Sequence, residues 1–355
     1  MDKRYSNILL QPLTRQKLDG ITISETQSQI ILKIAENFIL SGYFLQSLKE
    51  NRTISTLQQI KGIHKNFVMR FLLIKKDLTN LTELFRIKDI ENIILKGMAL
   101  KLMDNDFFQN RQIRDIDILI PKNKIEHAYR IMRNAGFSYM YDDIEDSAVF
   151  KTLHHIPPMI NKNGTIVELH HRITNIWHYK NCPLTDLFFL QKKKIKVGSK
   201  DIYIPSIKNM MIHAFYHGYY SDRNLKGPSY FYDINLLFQK NQKAWPQRIR
   251  DVNLIDKNNK FPKFKSLIED CNYDVLIKDK DIKYNLDKTV NLTGFNKKFH
   301  LLRSERNYLS FKEMLLRLNH RHKYISYRYQ VAPFTLKYFI YFALYFWEII
   351  KRLKI

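Results

Sequence analysis

Two acidic residues separated by one apolar residue, Asp115 and Asp117, begin an apolar run that continues to Ile120. Alternate side chains of a β-strand share a face, so both carboxylates would lie on one side of a strand and the isoleucines on the other. Two like charges at this spacing raise a carboxyl pKa unless a cation lies between them. A divalent ion that prefers oxygen ligands, above all Mg²⁺, would satisfy both. Taken alone, an Asp-x-Asp pair is more often a strand with a solvated acidic edge.

A glycine precedes the acidic pair at a predicted strand–helix junction. Residues 91–95 form a short apolar run, and residues 98–103 have the composition of a helix. Between them, Gly97 predicts a turn whose free backbone N–H groups could bind a phosphate. A single glycine at such a junction is usually just a turn.

A third acidic residue follows downstream. After the turn signal of residues 161–164, the sequence predicts a strand on which three alternate residues share one face: Ile166, Glu168 and His170. Its partner strand is predicted at residues 148–156. Glu168 could therefore converge with the two aspartates. Three carboxylates on neighbouring strands are typical of a two-metal phosphoryl-transfer site.

These segments resemble the uncharacterised nucleotidyltransferase family of the nucleotidyltransferase superfamily. Members typically read Leu-Lys-Gly-x-Ala-Leu, then Arg-x-x-x-Asp-hydrophobic-Asp-hydrophobic-Leu, then hydrophobic-Glu-Leu-His. The corresponding segments here are residues 95–100, 111–119 and 167–170. The resemblance is strong over about residues 90–175 and weak over 205–240.

The resemblance implies an α/β (α+β) core with a small mixed sheet, flanked by all-helical N-terminal and C-terminal regions. It implies that Asp115, Asp117 and Glu168 are catalytic and bind Mg²⁺, with two ions expected. The implied nucleotide-binding residues are those of the turn and one arginine: Lys96, Gly97, Met98 and Arg111. The superfamily usually has Gly-Ser or Gly-Gly at the turn, so the Gly-Met of this chain lacks a side-chain hydroxyl for the phosphate.

The implied activity is Mg²⁺-dependent transfer of a nucleoside monophosphate from an NTP to a hydroxyl or phosphate acceptor. Relatives that accompany surface-polysaccharide or peptide-modification pathways suggest a glycan or peptide acceptor. Two alternatives stay open. One is a toxin-like transferase that acts on tRNA; the other is a non-catalytic membrane-associated scaffold, which is expected if the three acids do not converge.

Several other polar residues have more than one interpretation. Arg111 could bind a triphosphate, lie in solvent or neutralise Asp115, and Arg114 is expected to be a local charge partner of Asp115. His213 and His217 have the i, i+4 spacing of one helix face, and a link between His213 and Asp233 would tie two helices together.

Two pairs of adjacent histidines, at 154–155 and 170–171, suggest a zinc site. Neighbouring residues of a strand point to opposite faces, so at most two of the four would share a face. Cys182 and Cys271 are isolated and lack metal-ligand spacing, which disfavours zinc. His155 or His170 could still lie beside the acids and orient a phosphate or an acceptor.

The formal charge of +25 at pH 7 would attract polyanions, including RNA, or anionic membrane surfaces. A composition rich in lysine, isoleucine and asparagine inflates the charge without functional meaning. Two isolated cysteines predict no disulfide framework and a reducing compartment. The first residues have too few apolar side chains for a signal peptide, so a cytoplasmic location is expected.

Four regions are predicted: a helical region at 1–88, the core at 89–180, a helical domain at 181–330 and an aromatic, basic helix at 331–355. The last region contains ten consecutive apolar or aromatic residues. Crossing a bilayer takes roughly 20, so the pattern favours a helix lying on the inner membrane face or, alternatively, packed against the protein.

Overall fold

The computed structural model describes residues 42, 54–106, 108–140, 154–174, 183–221, 229–240, 335, 336, 339–341 and 343. Both cysteines, most of the predicted 148–156 strand and most of the 331–355 region lie outside these residues. Within the described part of the chain, no helix combines the length and apolarity needed to cross a membrane.

The core contains a five-stranded sheet in the order β1–β2–β5–β4–β3. Its strands are β1 (Ile93–Ile94), β2 (Asp115–Leu119), β3 (Ser138–Tyr139), β4 (Met159–Ile160) and β5 (Ile166–His170). Strands β2 and β5 are parallel, whereas the other neighbours are antiparallel. The small mixed sheet predicted from the sequence is confirmed.

The register of β2 and β5 separates the apolar core from the acidic face. Two fully buried apolar pairs lie on one face, Ile116 opposite Val167 and Ile118 opposite Leu169. On the other face, Asp117 lies opposite Glu168. Because side chains alternate along a strand, burial of the isoleucines fixes the direction of the acids.

Three helices accompany the sheet: α1 (Ile54–Ile87), α2 (Lys96–Met103) and α3 (Ile125–Asn134). Helix α1 buries a stripe at helical spacing, formed by Phe71, Ile74, Leu78, Leu81 and Phe85. Helix α3 likewise buries Ile125, Ala128 and Met132. It ends before Gly136, whose φ of 84° is the left-handed conformation common at helix ends.

The chain continues through helix α4 (Leu184–Leu190), strands β6 (Lys193–Val197) and β7 (Lys200–Ile204), helix α5 (Ile207–Phe215), a π-helix (Tyr216–Ser221) and helix α6 (Ser229–Lys240). Strands β6 and β7 form an antiparallel hairpin, a departure from the helices expected for this region. Gly198 at its turn has a φ of 63°, so the hairpin exploits the conformational freedom of glycine.

A carboxylate on α1 attaches this helix to the turn between β4 and β5. Asp77, 9% exposed, accepts hydrogen bonds from the amides of Asn161 at 2.9 Å and Asn163 at 3.2 Å. It also accepts one from the Thr165 hydroxyl at 2.5 Å. All three donors are neutral, so the charge of Asp77 is held by dipoles that the fold fixes in place.

Candidate active site

Two carboxylates from neighbouring parallel strands form the centre of the site. Asp117 of β2 lies opposite Glu168 of β5; Asp117 is 3% exposed and Glu168 is half-buried. One potential ligand atom from each, together with one from His170, lie within 4.8 Å of one another. The predicted convergence of these two acids is therefore present in the fold.

His170 belongs to the same face of β5, two residues beyond Glu168. Its Nε2 lies 2.9 Å from Asp117 Oδ1 and 3.5 Å from Glu168 Oε2. Burial disfavours the charged imidazole, but the hydrogen bonds to Asp117 and Glu168 outweigh it and raise the pKa of His170. The buried imidazole of His170 thus contacts both carboxylates of the acidic pair.

Lys96, the first residue of α2, binds the same carboxylates. Its Nζ lies 2.6 Å from Asp117 Oδ1 and 3.8 Å from Glu168 Oε2. Burial lowers the lysine pKa, but the charges of Asp117 and Glu168 raise it more, so the ammonium stays protonated. Burial alone would raise the pKa of Asp117. The charge of Lys96 and the hydrogen bond of His170 outweigh burial, so this pKa lies well below its usual range.

Asp115 is half-buried and lies one residue pair along from the acidic pair, opposite Ile166. Burial, followed by the charges of Asp117 and Glu168, raises the pKa of Asp115 to about 7. Its carboxylate is not among the ligand atoms that lie within 4.8 Å of one another. The acidic face therefore consists of the close pair Asp117 and Glu168 and of Asp115, whose ionisation is disfavoured by the negative charges of that pair.

The chemistry of these donors fits Mg²⁺. Carboxylate oxygens are the ligands that Mg²⁺ prefers, and three are present on one sheet face. The ammonium of Lys96 lies between two of them, which shows that this position accepts a positive charge. The imidazole nitrogen of His170 would suit Mn²⁺ or Zn²⁺ better than Mg²⁺. Here the imidazole Nε2 lies 2.9 Å from Asp117 Oδ1.

Arg111, expected among the nucleotide ligands, lies against helix α6. Its Nε donates to Asp233 Oδ1 at 2.6 Å and its Nη2 to Oδ2 at 3.1 Å, while Nη1 donates to the Gln112 carbonyl at 2.7 Å. Both oxygens of Asp233, which the sequence analysis paired with His213, thus accept hydrogen bonds from the guanidinium of Arg111. The ring of His213 lies 5.8 Å from that of Phe188 and 5.8 Å from that of His217.

Gly97 provides the space that this arginine occupies. A Cβ at this position would lie 3.1 Å from Arg111 Nη2 and 3.2 Å from Ile113 Cδ1. Met98 is 1% exposed and belongs to the apolar core. The N-cap residue of α2, Leu95, makes no side-chain hydrogen bond to the helix. The first-turn amides of α2 are therefore not capped by the N-cap side chain. In this turn, the side chain that reaches the acids is that of Lys96.

The histidine arrangement corrects one prediction. The ring centroids of His154, His155 and His170 are 4.4–5.5 Å apart, so three of the four histidines lie together and the expected limit of two is wrong. His154 lies in a bend, and His155 makes an isolated bridge to His170, so strand alternation does not apply to the first pair. Burial lowers the pKa of His154 far below its usual range and that of His155 to about 4, which keeps both rings neutral.

Of the two side chains that contact Asp117, sequence reasoning anticipated a position beside the acids for His170 and missed the contact of Lys96. The period of a strand already places His170 on the face of Glu168, so the imidazole contact had a detectable signal. The contact with Lys96 had none, because it depends on where α2 begins relative to β2. The hydrogen bond from the Leu95 amide to the Asp117 carbonyl, at 2.8 Å, fixes that position.

The sequence profile of a family described as uncharacterised nucleotidyltransferase matches residues 24–258. No curated protein matches the chain. Among solved structures, the chain is similar to an antigenic nucleotidyltransferase-like protein from Paracoccidioides brasiliensis, with 16% identity and a TM-score of 0.36. That match covers 55% of this chain and 92% of the fungal one.

Proposed function

Because the chain belongs to the uncharacterised nucleotidyltransferase family, we propose that it transfers a nucleoside monophosphate from an NTP to a hydroxyl or phosphate acceptor. The acceptor oxygen would bond to the α-phosphorus while the bond from that phosphorus to the bridging oxygen breaks. Pyrophosphate leaves with the electron pair of the broken bond, and an acceptor hydroxyl loses its proton. The family supports the donor; the acceptor is part of the proposal.

The observation that carries this proposal is the pairing of Asp117 and Glu168 on adjacent strands, with an ammonium between them. We assign these two residues and Asp115 as the ligands of two Mg²⁺ ions. Bound there, the ions would polarise the phosphoryl oxygens and lower the pKa of the attacking hydroxyl. His170 would orient the carboxylate of Asp117 through its 2.9 Å contact.

The triphosphate would bind at the start of α2. Lys96 brings a positive charge to the acidic face, and the first-turn amides of Gly97 and Met98 could donate to phosphate oxygens. Arg111 would support this turn from behind, through its packing on Gly97, while its guanidinium stays paired with Asp233. Its proposed role is thus in positioning the turn, which revises the expectation of a direct triphosphate contact.

The scaffold alternative was expected if the three acids fail to converge. Two of them, Asp117 and Glu168, belong to one 4.8 Å group with His170, and this favours the transferase. Burying two like charges side by side is costly. A non-catalytic scaffold would give the pair of Asp117 and Glu168 no function that offsets this cost. The tRNA alternative differs from the main proposal in the acceptor alone. It therefore shares the same donor site and the same first test.

The first test is calorimetric titration of the four NTPs, with and without Mg²⁺, into the wild type, Asp117→Asn and a control. Asp201→Asn is a matched control, since Asp201 is an acid that pairs with Lys194 and Lys196 within the β6–β7 hairpin. We expect Mg²⁺-dependent binding of at least one NTP, lost in Asp117→Asn and retained in the control. A folded wild type that binds none of the four would contradict the proposal.

A second test identifies the group that moves. The bound NTP is supplied with its label on the α- or the γ-phosphate, together with RNA, glycan or peptide fractions. Nucleotidyl transfer moves the α-label to the acceptor and releases the γ-label as pyrophosphate. Transfer of the γ-label would instead indicate a kinase reaction and overturn the proposal.

A further inference from the structure

A side chain of the protein occupies the position of a cation on the acidic face. The ammonium of Lys96 lies 2.6 Å from Asp117 and 3.8 Å from Glu168, the two carboxylates proposed as metal ligands. A metal ion and this ammonium would therefore compete for the same oxygens. Two cations in contact with one carboxylate pair repel each other, so binding one weakens the other.

The backbone of Lys96 is held, while its side chain is partly exposed. Its φ is 50°, in the left-handed region that a residue with a side chain seldom adopts. The neighbouring Gly97 packs against Arg111, and Met98 is buried, so the turn is fixed on its inner side. The lysine side chain is 26% exposed and ends in a flexible stem.

The charges indicate where the ammonium would go. A metal ion bound to the acidic face would neutralise the carboxylates in place of the ammonium. A triphosphate at the start of α2 would bring several negative charges beside the same lysine. One lysine could serve either partner, because a triphosphate bound at the start of α2 would lie within reach of the same side chain. The free protein and its complex would then each keep the ammonium paired, which avoids a buried unpaired charge.

We propose that Lys96 exchanges between Asp117 in the free protein and the triphosphate in the complex, so that the metal and the NTP bind as one coupled unit. This inference rests on the proposed function and concerns the regulation of that site. Metal alone would bind weakly, because it must displace the ammonium of Lys96 from Asp117 and Glu168. The NTP removes this competitor, and by reciprocity the metal raises the affinity for the NTP.

The test is titration of Mn²⁺, followed by electron paramagnetic resonance, with and without the four α,β-methylene NTPs. Lys96→Met removes the ammonium, while Lys96→Arg retains a cation. Lys192→Met is the matched control, since Lys192 also pairs with a carboxylate, that of Glu91, and its side chain is likewise 26% exposed. Circular dichroism confirms that each variant is folded.

Without nucleotide, we expect Lys96→Met to bind Mn²⁺ more tightly than the wild type, by roughly 5- to 150-fold, the usual range of coupling between two ligands. Lys192→Met should stay close to the wild type, and Lys96→Arg, which keeps a cation, should gain less Mn²⁺ affinity than Lys96→Met. With the bound analogue, the wild type should gain Mn²⁺ affinity, and Lys96→Met should gain much less.

Unchanged or weaker Mn²⁺ binding in folded Lys96→Met would overturn the exchange. The proposed function would survive that result, provided that the wild type binds an analogue with Mn²⁺ and Asp117→Asn does not. Failure of the wild type to bind any analogue with Mn²⁺ would overturn the proposed function itself. Failure of the exchange is thus detected in Lys96→Met, and failure of the proposed function is detected in the wild type.

Discussion

Two buried aspartates, Asp77 and Asp117, solve the same electrostatic problem in opposite ways. Asp77 accepts hydrogen bonds from two asparagine amides and a threonine hydroxyl, all of them neutral. Asp117 lies beside a second carboxylate, an ammonium and an imidazole. They are 9% and 3% exposed, so burial does not distinguish them.

The difference lies in what can be exchanged. The neutral donors around Asp77 are Asn161, Asn163 and Thr165, all in the segment between β4 and β5, and removing them would detach α1 from this segment. The cation on Asp117 is the ammonium of the flexible Lys96 side chain, and we propose that another cation can replace it. We therefore regard Asp77 as structural and propose that Asp117 is functional, and each variant below tests one side of this contrast.

The largest expected effect is on ligand binding in Asp117→Asn. The affinity for Mg²⁺ and NTP together should fall by about 100-fold or more, which is roughly 3 kcal/mol. The free energy of unfolding should change by about 1 kcal/mol or less, because Glu168 remains beside Lys96 and His170. Calorimetry and urea unfolding of the same sample give both values. A large loss of stability with binding retained would reverse the contrast.

The opposite result is expected for Asp77→Asn. The amide replaces one acceptor oxygen with an NH2 donor. That donor would oppose either the Asn163 amide at the position of Oδ1 or the Asn161 amide and the Thr165 hydroxyl at the position of Oδ2. The free energy of unfolding should fall by about 2–3 kcal/mol, measured by urea unfolding. Nucleotide binding by the folded fraction should be unchanged. Normal stability in this variant would show that the three hydrogen bonds contribute little.

His170 sharpens the comparison, because it is the donor that the fold supplies to Asp117. His170→Leu removes the contact, and metal affinity should fall by about 10- to 100-fold, as for other residues that orient a metal ligand. His170→Gln keeps an N–H donor near the position of Nε2 and should lose less. The measurement is Mn²⁺ affinity by electron paramagnetic resonance. Equal losses in both variants would indicate a packing role for the ring.

The smallest expected effect concerns Lys101, a buried lysine of α2. Its ammonium lies 4.3 Å from the centre of the Phe71 ring. Burial, followed by the nearby charge of Arg111, lowers its pKa from 10.5 to about 8. Between these values the unfolded chain binds more protons than the folded one, so stability should rise as the pH increases from about 8 to 10.5.

Lys101→Met should remove that rise and stabilise the protein at neutral pH by on the order of 1 kcal/mol, since the ammonium keeps part of its hydration. Urea unfolding of both proteins at pH 7 and pH 10 measures the effect. An unchanged pH dependence in the variant would show that another group causes it. A corresponding gain is not expected for Lys96, whose charge is paired with Asp117.

The sequence by itself determined the strands and the direction of their side chains. The alternation from Asp115 to Ile120 and the turn before Glu168 predict two strands with acids on one face, and the register of β2 and β5 agrees. These features depend on local periodicity, which a strand expresses whatever surrounds it. The family resemblance came from the same local segments, and the match over residues 24–258 confirms it.

The tertiary structure decided which charges meet. Lys96 reaches Asp117 because α2 begins beside β2, and Arg111 meets Asp233 across 122 residues of chain. The histidines at 154 and 155 join His170 because irregular backbone frees them from strand alternation. Pairings between distant segments depend on packing and on the cost of burying an unpaired charge, and neither quantity is written in local spacing.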